Sequence, residues 1–197
     1  MLKILGIPDS YSEKSINALL VRYVIDSMKS NLNFDAEYSI LDLNNFEMPI
    51  YKAEREAADG VPERAIAFVR AIEFSDALIF SFAEHNGNYS AAFKIVFDWA
   101  SRIDLKVFHG RPILMMATSP GARGGAAVLQ IASNAAPYFE GKVFATFSLP
   151  RFNETFDRTR NIITDEDKAY ELFKLIEGFT EEIAKNRRTS SQAISDR

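Results

Sequence analysis

The sequence predicts an α/β fold: a doubly wound, five-stranded parallel sheet with strand order 2-1-3-4-5 and helices on both faces. Short runs rich in Ile, Val, Leu and Phe recur along the chain, each bounded by turn residues. They do not alternate with polar residues, which is typical of strands buried on both faces of a parallel sheet. Segments with the 3.6-residue period of amphipathic helices separate them. Because crossovers between parallel strands are right-handed, few other windings suit five such units.

The elements follow in order along the chain. The apolar runs predict strands at residues 3–8, 37–41, 77–82, 112–117 and 143–149. Apolar side chains at helical spacing predict helices at residues 16–28, 66–72, 90–103, 125–136 and 170–183. Thr164 and Asp167 have the spacing of a capping box at the start of the last helix.

Two segments lie outside this pattern. Residues 44–60 are expected to form a long surface connection after the second strand. Residues 185–197 are polar and lack an apolar period, so we expect a loose tail or a frayed helix end there. The prediction is therefore one domain over residues 1–184, followed by a polar C-terminal tail.

Composition excludes several classes of protein. A chain of 197 residues with 47% hydrophobic content can bury one sizeable core, and a net charge of −4 argues against a basic nucleic-acid-binding face. The absence of cysteine excludes disulfides and thiolate nucleophiles, and two histidines make a multi-histidine metal centre implausible, so no metal is expected. No apolar run reaches the roughly 20 residues of a membrane span, and the run over residues 1–7 is too short for a signal peptide. A soluble cytoplasmic protein is expected.

Three polar loops rich in glycine or serine follow predicted strands 1, 3 and 4. They cover residues 9–17, 83–87 and 119–125. In the order 2-1-3-4-5 the chain reverses direction between strands 1 and 3, and ligands of such sheets bind at that point, beyond the carboxyl ends of the strands. The three loops are therefore expected to form one site.

The first loop has the composition of a phosphate-binding loop. Its serines and Asn17 supply neutral donors, Lys14 supplies a cation, and the helix that follows presents free amides at its start. The alternative is that Ser12 or Ser15 simply caps this helix. The chain lacks both the G-x-x-x-x-G-K-[ST] motif of nucleoside triphosphatases and the G-x-G-x-x-G motif of dinucleotide sites.

The second and third loops suit a flat ligand. Asn86 and Gly87 can bring backbone amides close to a ring because glycine has no side chain, and His85 can pack against that ring. The alternative for His85 is an ordinary loop histidine. The glycines of residues 121–125 either face the ligand with their amides or form a tight turn before a helix. Arg123 and His109 are interpreted as ordinary exposed and loop residues.

Together these loops resemble the motifs of the NADPH-dependent FMN reductase family of flavodoxin-like proteins. The resemblance covers residues 3–157. Ser12-x-x-Ser15-x-Asn17 is similar to the family's phosphate loop, Ala83-Glu84-His85-Asn86-Gly87 to its P-E-Y-N-G ring loop, and residues 119–125 to its S-P-G-x-x-G-G turn. Lys94 and Asp98-Trp99 match the helix that follows the ring loop.

The resemblance implies a flavodoxin-like fold, FMN as cofactor and NAD(P)H as co-substrate. It implies an oxidoreductase that transfers hydride from the nicotinamide nucleotide through FMN to quinone, flavin, azo or nitro acceptors. The flavin would carry the chemistry, so no catalytic side chain is implied. The implied cofactor-binding residues are Ser10, Ser12, Ser15, Ile16 and Asn17 at the phosphate, and Ala83, Glu84, His85, Asn86, Gly87, Ser119, Pro120, Gly121 and Gly124 around the ring.

Departures from the family pattern leave alternatives open. Asp9-Ser10 stands where the family has Gly-Ser, no arginine occurs in the phosphate loop, and Ala83 and His85 replace Pro and Tyr. A flavodoxin-like electron carrier and a family member that has lost flavin remain alternatives. A carboxylate beside the phosphate would oppose FMN, so Asp9→Gly is expected to tighten binding by up to about tenfold. FMN is favoured over FAD because one phosphate loop suits a monophosphate.

The distribution of polar and apolar residues in the predicted helix at residues 90–103 indicates the oligomeric state. Its polar residues form one narrow stripe and the remainder is apolar, which is more than one sheet face needs. Part of Phe93, Phe97 or Trp99 is therefore expected to remain uncovered in a monomer. Exposed apolar area of this kind marks an interface. The prediction is a two-fold homodimer, with a tetramer as the alternative, and active sites near the interface.

Overall fold

A central parallel sheet organises the protein, whose computed structural model describes residues 1–195, with side chains through residue 187. The strand order is β2-β1-β3-β4-β5, and all four pairings in this sheet are parallel, which confirms the predicted fold class. The strands are β1 (Leu2–Pro8), β2 (Ala36–Ile40), β3 (Ala77–Phe82), β4 (Pro112–Thr118) and β5 (Lys142–Leu149). Each bound lies within one residue of the predicted one.

Helices cover both faces of this sheet. They are α1 (Ile16–Asp26), α2 (Ala53–Asp59), α3 (Glu63–Glu73), α4 (Ala91–Ile103), α5 (Ala126–Ala135), α6 (Phe152–Thr155) and α7 (Glu166–Ser195). A π turn, Ser27–Asn31, extends α1, and 3-10 turns lie at Leu43–Phe46 and Ala136–Phe139. A short antiparallel ribbon, β6 (Phe156–Asp157) with β7 (Ile162–Ile163), precedes α7. The short helices α2 and α6 and the ribbon were not predicted.

The sheet separates two hydrophobic cores. Side chains on successive strand positions point to opposite faces, so Leu78 and Phe80 enter one core while Ile79 enters the other. The first core packs against α3, α4 and α5, and the second packs against α1 and α7. Burial on both faces explains why the strands have uninterrupted apolar sequences.

The segment after β2 does more than connect elements across the surface. Met48 is buried, the Pro49 carbonyl accepts a hydrogen bond of 2.7 Å from Trp99 Nε1, and the Tyr51 ring packs edge-on at 5.1 Å from the Trp99 ring. Trp99 and Phe93 are buried, so the expectation that part of Phe93, Phe97 or Trp99 remains uncovered holds only for Phe97. Phe97 alone of the three is half-buried.

The start of α7 also differs from the prediction. Asp165 Oδ1 accepts a hydrogen bond of 3.0 Å from the Lys168 amide, which makes Asp165 the capping residue. The Thr164 hydroxyl donates to the Glu154 carbonyl instead, so the proposed capping box is wrong. The helix continues to Ser195 through most of the segment predicted as a tail or helix end; residues 196–197 lie outside the described part of the chain. Among the described residues, no helix is long and apolar enough to cross a membrane.

Candidate functional site

The three predicted loops meet in one cleft at the carboxyl ends of β1, β3 and β4. The cleft has a volume of about 220 Å³. Most of the residues that the resemblance implies line it: Ser10, Ser12, Ser15, Ile16, Asn17, Ala83, Glu84, His85, Ser119 and Pro120. Lys14 and Thr118 complete its walls. The convergence follows from topology, because β1 lies between β2 and β3 and its carboxyl end is the point where strand order reverses.

Backbone amides and serine hydroxyls build the phosphate loop. Ser10 Oγ accepts from the Ser12 amide at 3.1 Å, Ser12 Oγ accepts from the Lys14 amide at 3.2 Å, and Ser15 Oγ accepts from the Ala18 amide at 3.1 Å. Ser15 is therefore the N-cap of α1, as the alternative interpretation had it. A hydroxyl that accepts a bond keeps its own hydrogen for a ligand, so capping and ligand binding are compatible.

The start of α1 adds two more donors. The Leu19 amide makes the first bond of the helix, to the Ser15 carbonyl, so the amides of Ile16 and Asn17 precede the intrahelical ladder. Helix amides without an intrahelical partner attract anions. Together with the Lys14 ammonium, they give this end of the cleft donors suited to an anion such as a phosphate.

Asn17 connects three elements below the cleft. Its side-chain oxygen accepts from the Ser81 hydroxyl at 2.7 Å and from the Thr118 amide at 3.3 Å, and the residue is almost fully buried. It thus holds α1 against the ends of β3 and β4. Thr118 was not predicted as a site residue. Its position at the end of β4, directly before the third loop, is the feature of the sequence that could have identified it.

The ring loop is a tight hairpin turn. The His85 amide donates to the Asn88 carbonyl at 3.0 Å and the Asn88 amide donates back at 3.1 Å. Asn86 and Gly87 both have positive φ, 53° and 74°, as a type I′ turn requires. The Asn-Gly pair is explained by this turn, and neither residue lines the cleft, whereas Ala83 and His85 do.

Glu84 joins the second loop to the third. Its Oε2 accepts from the amides of Ala127 and Val128 at 2.9 and 3.2 Å, at the start of α5. The other oxygen lies 3.7 Å from the Arg123 guanidinium. The carboxylate is thus occupied with helix amides, and Glu84 positions the ring loop rather than acting as a base.

The third loop packs tightly on the sheet at its glycines. A Cβ on Gly124 would lie 2.7 Å from the Pro150 nitrogen, and one on Gly125 would lie 2.8 Å from the Ala117 Cβ. Both have positive φ. The Gly121 carbonyl accepts from the Arg151 amide at 3.0 Å, so the loop is also bonded to the segment after β5. Neither Gly121 nor Gly124 lines the cleft. Gly124 is therefore explained by the tight turn before α5, the alternative to a contact with the ligand.

Asp9 points away from the phosphate loop. Its carboxyl is fully buried and accepts a hydrogen bond from the Ser90 hydroxyl at the start of α4. The residue does not line the cleft. The expected gain in affinity for Asp9→Gly assumed a carboxylate beside the phosphate. That assumption is therefore wrong.

Known proteins with similar sequences include a quinone reductase and an FMN reductase. The chain is 26% identical over 125 residues to the quinone reductase of Escherichia coli (strain K12), with 64% of each chain covered. It is 28% identical over 125 residues to an NAD(P)H-dependent FMN reductase of Pseudomonas aeruginosa, again with 64% of each covered. The match thus spans less than two thirds of the length of these relatives.

Solved structures share the fold across almost the whole chain. The flavoenzyme NAD(P)H:(acceptor) oxidoreductase FerB from Paracoccus denitrificans has a TM-score of 0.71 at 24% identity, with 94% of this chain and 98% of that one covered. An FMN-dependent NADH-azoreductase from Bacillus anthracis, solved with FMN, has a TM-score of 0.60 at 12% identity, with 93% and 98% covered. Residues 2–154, well over half of the sequence, match the NADPH-dependent FMN reductase family, and the chain belongs to that family.

Proposed function

We propose that this protein is an FMN-dependent NAD(P)H oxidoreductase that passes electrons to quinone, flavin, azo or nitro acceptors. The observation that carries the proposal is the single cleft where the loops after β1, β3 and β4 converge. Family membership supports the cofactor and the reaction type. The names of the quinone reductase and azoreductase relatives support these acceptor classes.

The residues of the cleft fit FMN. The amides of Ile16 and Asn17, the serine hydroxyls and the Lys14 ammonium are donors suited to a phosphate. The carboxyl of Asp9, the first residue of this loop, is turned into the protein. The Glu84 carboxylate is held by the α5 amides. One phosphate loop suits a monophosphate, so FMN is favoured over FAD.

The role of the protein is to bind FMN and to orient it. FMN, when bound, supplies the chemistry of accepting hydride and passing electrons on. Lys14 and the α1 amides hold the phosphate, while Ala83, His85 and Pro120 lie in the cleft walls where they can contact the ring. The network through Asn17 and Glu84 fixes these loops against one another.

Reconstitution with FMN tests the proposal. We expect the protein to bind FMN with micromolar or tighter affinity, followed by fluorescence titration, and to oxidise NAD(P)H when a quinone is supplied. FMN binding without NAD(P)H turnover would favour an electron carrier instead. Absence of FMN binding at micromolar concentration would favour a family member that has lost its flavin.

A pair of lysine variants tests the position of the phosphate. Lys14→Met removes the cation of the phosphate loop and is expected to weaken FMN binding about tenfold. Lys3→Met removes an exposed lysine near the opposite, amino end of β1 and should leave the affinity unchanged. Equal effects of the two variants would contradict the assignment.

A further inference from the structure

A buried carboxyl lies directly beneath the ring loop. Asp9 follows β1, and its amide donates to the Ser81 carbonyl of β3 at 2.8 Å. Its side chain has no solvent exposure. Oδ1 accepts a hydrogen bond from the Ser90 hydroxyl, whereas Oδ2 is buried without a hydrogen-bond partner among the described residues.

The Ser90 contact links this carboxyl to two functional elements. Ser90 ends the segment that contains the ring loop, and its Oγ also accepts from the Phe93 amide at 3.1 Å, which caps α4. Asp9 is thus joined through one hydroxyl both to the ring loop and to the helix that follows it. Ala83, which lines the cleft, is also close enough for its amide to act on the carboxyl.

The surroundings disfavour the ionised carboxyl. Burial raises the pKa of Asp9 to about 7, although the Ser90 hydroxyl and the amides of Ser90, Ala83 and Phe93 oppose this shift. No lysine or arginine is paired with it among the described residues. A buried charge with one unpartnered oxygen gains stability from water or a cation, and either requires the covering segment to move.

We propose that Asp9 is a positioning residue for the flavin ring: the neutral carboxyl holds residues 83–90 closed against the end of β1, and its ionisation loosens this segment and weakens FMN binding. The inference rests on the proposed FMN site. Affinity should fall as pH rises through neutrality.

Other ionisable groups near Asp9 do not produce the same dependence of FMN affinity on pH. Burial raises the pKa of Tyr89 to about 12, with the Asp9 charge as a further cause, so Tyr89 remains neutral near pH 7. Burial also raises the pKa of Tyr11, and the charges of Glu47 and Asp9 add to this. The comparison with Asp9→Asn isolates the Asp9 carboxyl, because the two proteins share every other ionisable group.

The first experiment measures the Kd of FMN from pH 6 to 8.5 by fluorescence titration. We expect the wild-type Kd to rise about three- to tenfold over this range relative to that of Asp9→Asn, which keeps the shape of the side chain but cannot ionise. Asp9→Gly removes the contact with Ser90 and should bind FMN more weakly than Asp9→Asn at every pH. Glu47→Gln, which removes the other carboxylate acting on Tyr11, should keep the wild-type profile.

Two results would overturn the inference. One is a pH profile for Asp9→Asn that runs parallel to that of the wild type. The other is tighter binding by Asp9→Gly than by Asp9→Asn, which would indicate that the side-chain contact with Ser90 does not support FMN binding.

A second readout needs no flavin and separates this inference from the proposed function. Burial raises the pKa of Asp9 in the folded protein above its ordinary value of 3.8, so its contribution to stability is complete below pH 3.8 and is lost as pH rises to about 7. The melting temperature of the wild-type apoprotein should therefore fall from pH 5 to pH 8 relative to that of Asp9→Asn. Parallel melting curves would contradict the role of Asp9, while absence of FMN binding alone would contradict the proposed function.

Discussion

Gly124 illustrates how a single residue fixes the third loop. Its φ is +59°, and an added Cβ would lie 2.7 Å from the Pro150 nitrogen and 2.9 Å from the Leu149 carbonyl carbon. Neither backbone atom can move without displacing the end of β5. Gly124→Ala is therefore expected to lower the free energy of unfolding by more than about 1 kcal/mol, measured by urea denaturation.

Gly121 offers the matched control in the same loop. A Cβ there would meet only the Ser119 hydroxyl, at 3.8 Å, and the backbone does not have positive φ. Gly121→Ala should change stability by less than about 0.5 kcal/mol. Equal losses for the two variants would show that the Gly124 contact is not what makes it necessary.

For single residues, the sequence predicts which residues lie near the cleft better than it predicts where their side chains point. The serines, Lys14 and Asn17 were predicted near a ligand and lie around the cleft. The direction of Asp9 depends on Ser90, which is 81 residues away in sequence, so no local pattern reports it. The same holds for Asn17, whose oxygen is used by Ser81 and Thr118 on two other strands.

Helix α1 combines structure and ligand binding at its first turn. Ser15 caps the helix through a 3.1 Å bond from the Ala18 amide, and its neighbours present amides to the cleft. Ser15→Ala is expected to lower the free energy of unfolding by about 1 kcal/mol and to weaken FMN binding as well. Ser133→Ala, at a half-buried position on α5 outside the cleft, should change neither, because this hydroxyl bonds only to the Gln130 carbonyl of its own helix. Loss of stability without loss of affinity would confine Ser15 to capping.

Elements with a strong period were predicted well, and those without one were not. Each strand is a dense apolar run, and burial on both faces leaves little freedom in its bounds. The segment after β2 has no period, so its contacts with Trp99 were not visible in the sequence. The same segment explains why α4 is apolar over most of its circumference: one side faces the sheet and another faces residues 48–51.

The whole molecule has fewer exposed apolar side chains on α4 than its sequence predicts, and this changes the argument for a homodimer. With Phe93 and Trp99 buried, the remaining apolar surface extends from Phe97, half-buried in the middle of α4, to Ile103 and Leu105 at its end, which are 37% and 64% exposed. A homodimer remains our prediction, with this end of α4 as the contact surface.

Light scattering at micromolar concentration measures the assembly directly. We expect about twice the chain mass of 22.2 kDa for the wild type. Leu105→Asp places a charge on the expected contact and should shift the protein toward the monomer, because a charge buried at an interface without a partner is unfavourable. Phe74→Asp provides the control, since Phe74 is equally exposed, at 67%, but follows α3 and not α4. A monomer mass for the wild type would contradict the homodimer, and a shift caused by Phe74→Asp alone would place the interface at the end of α3 instead.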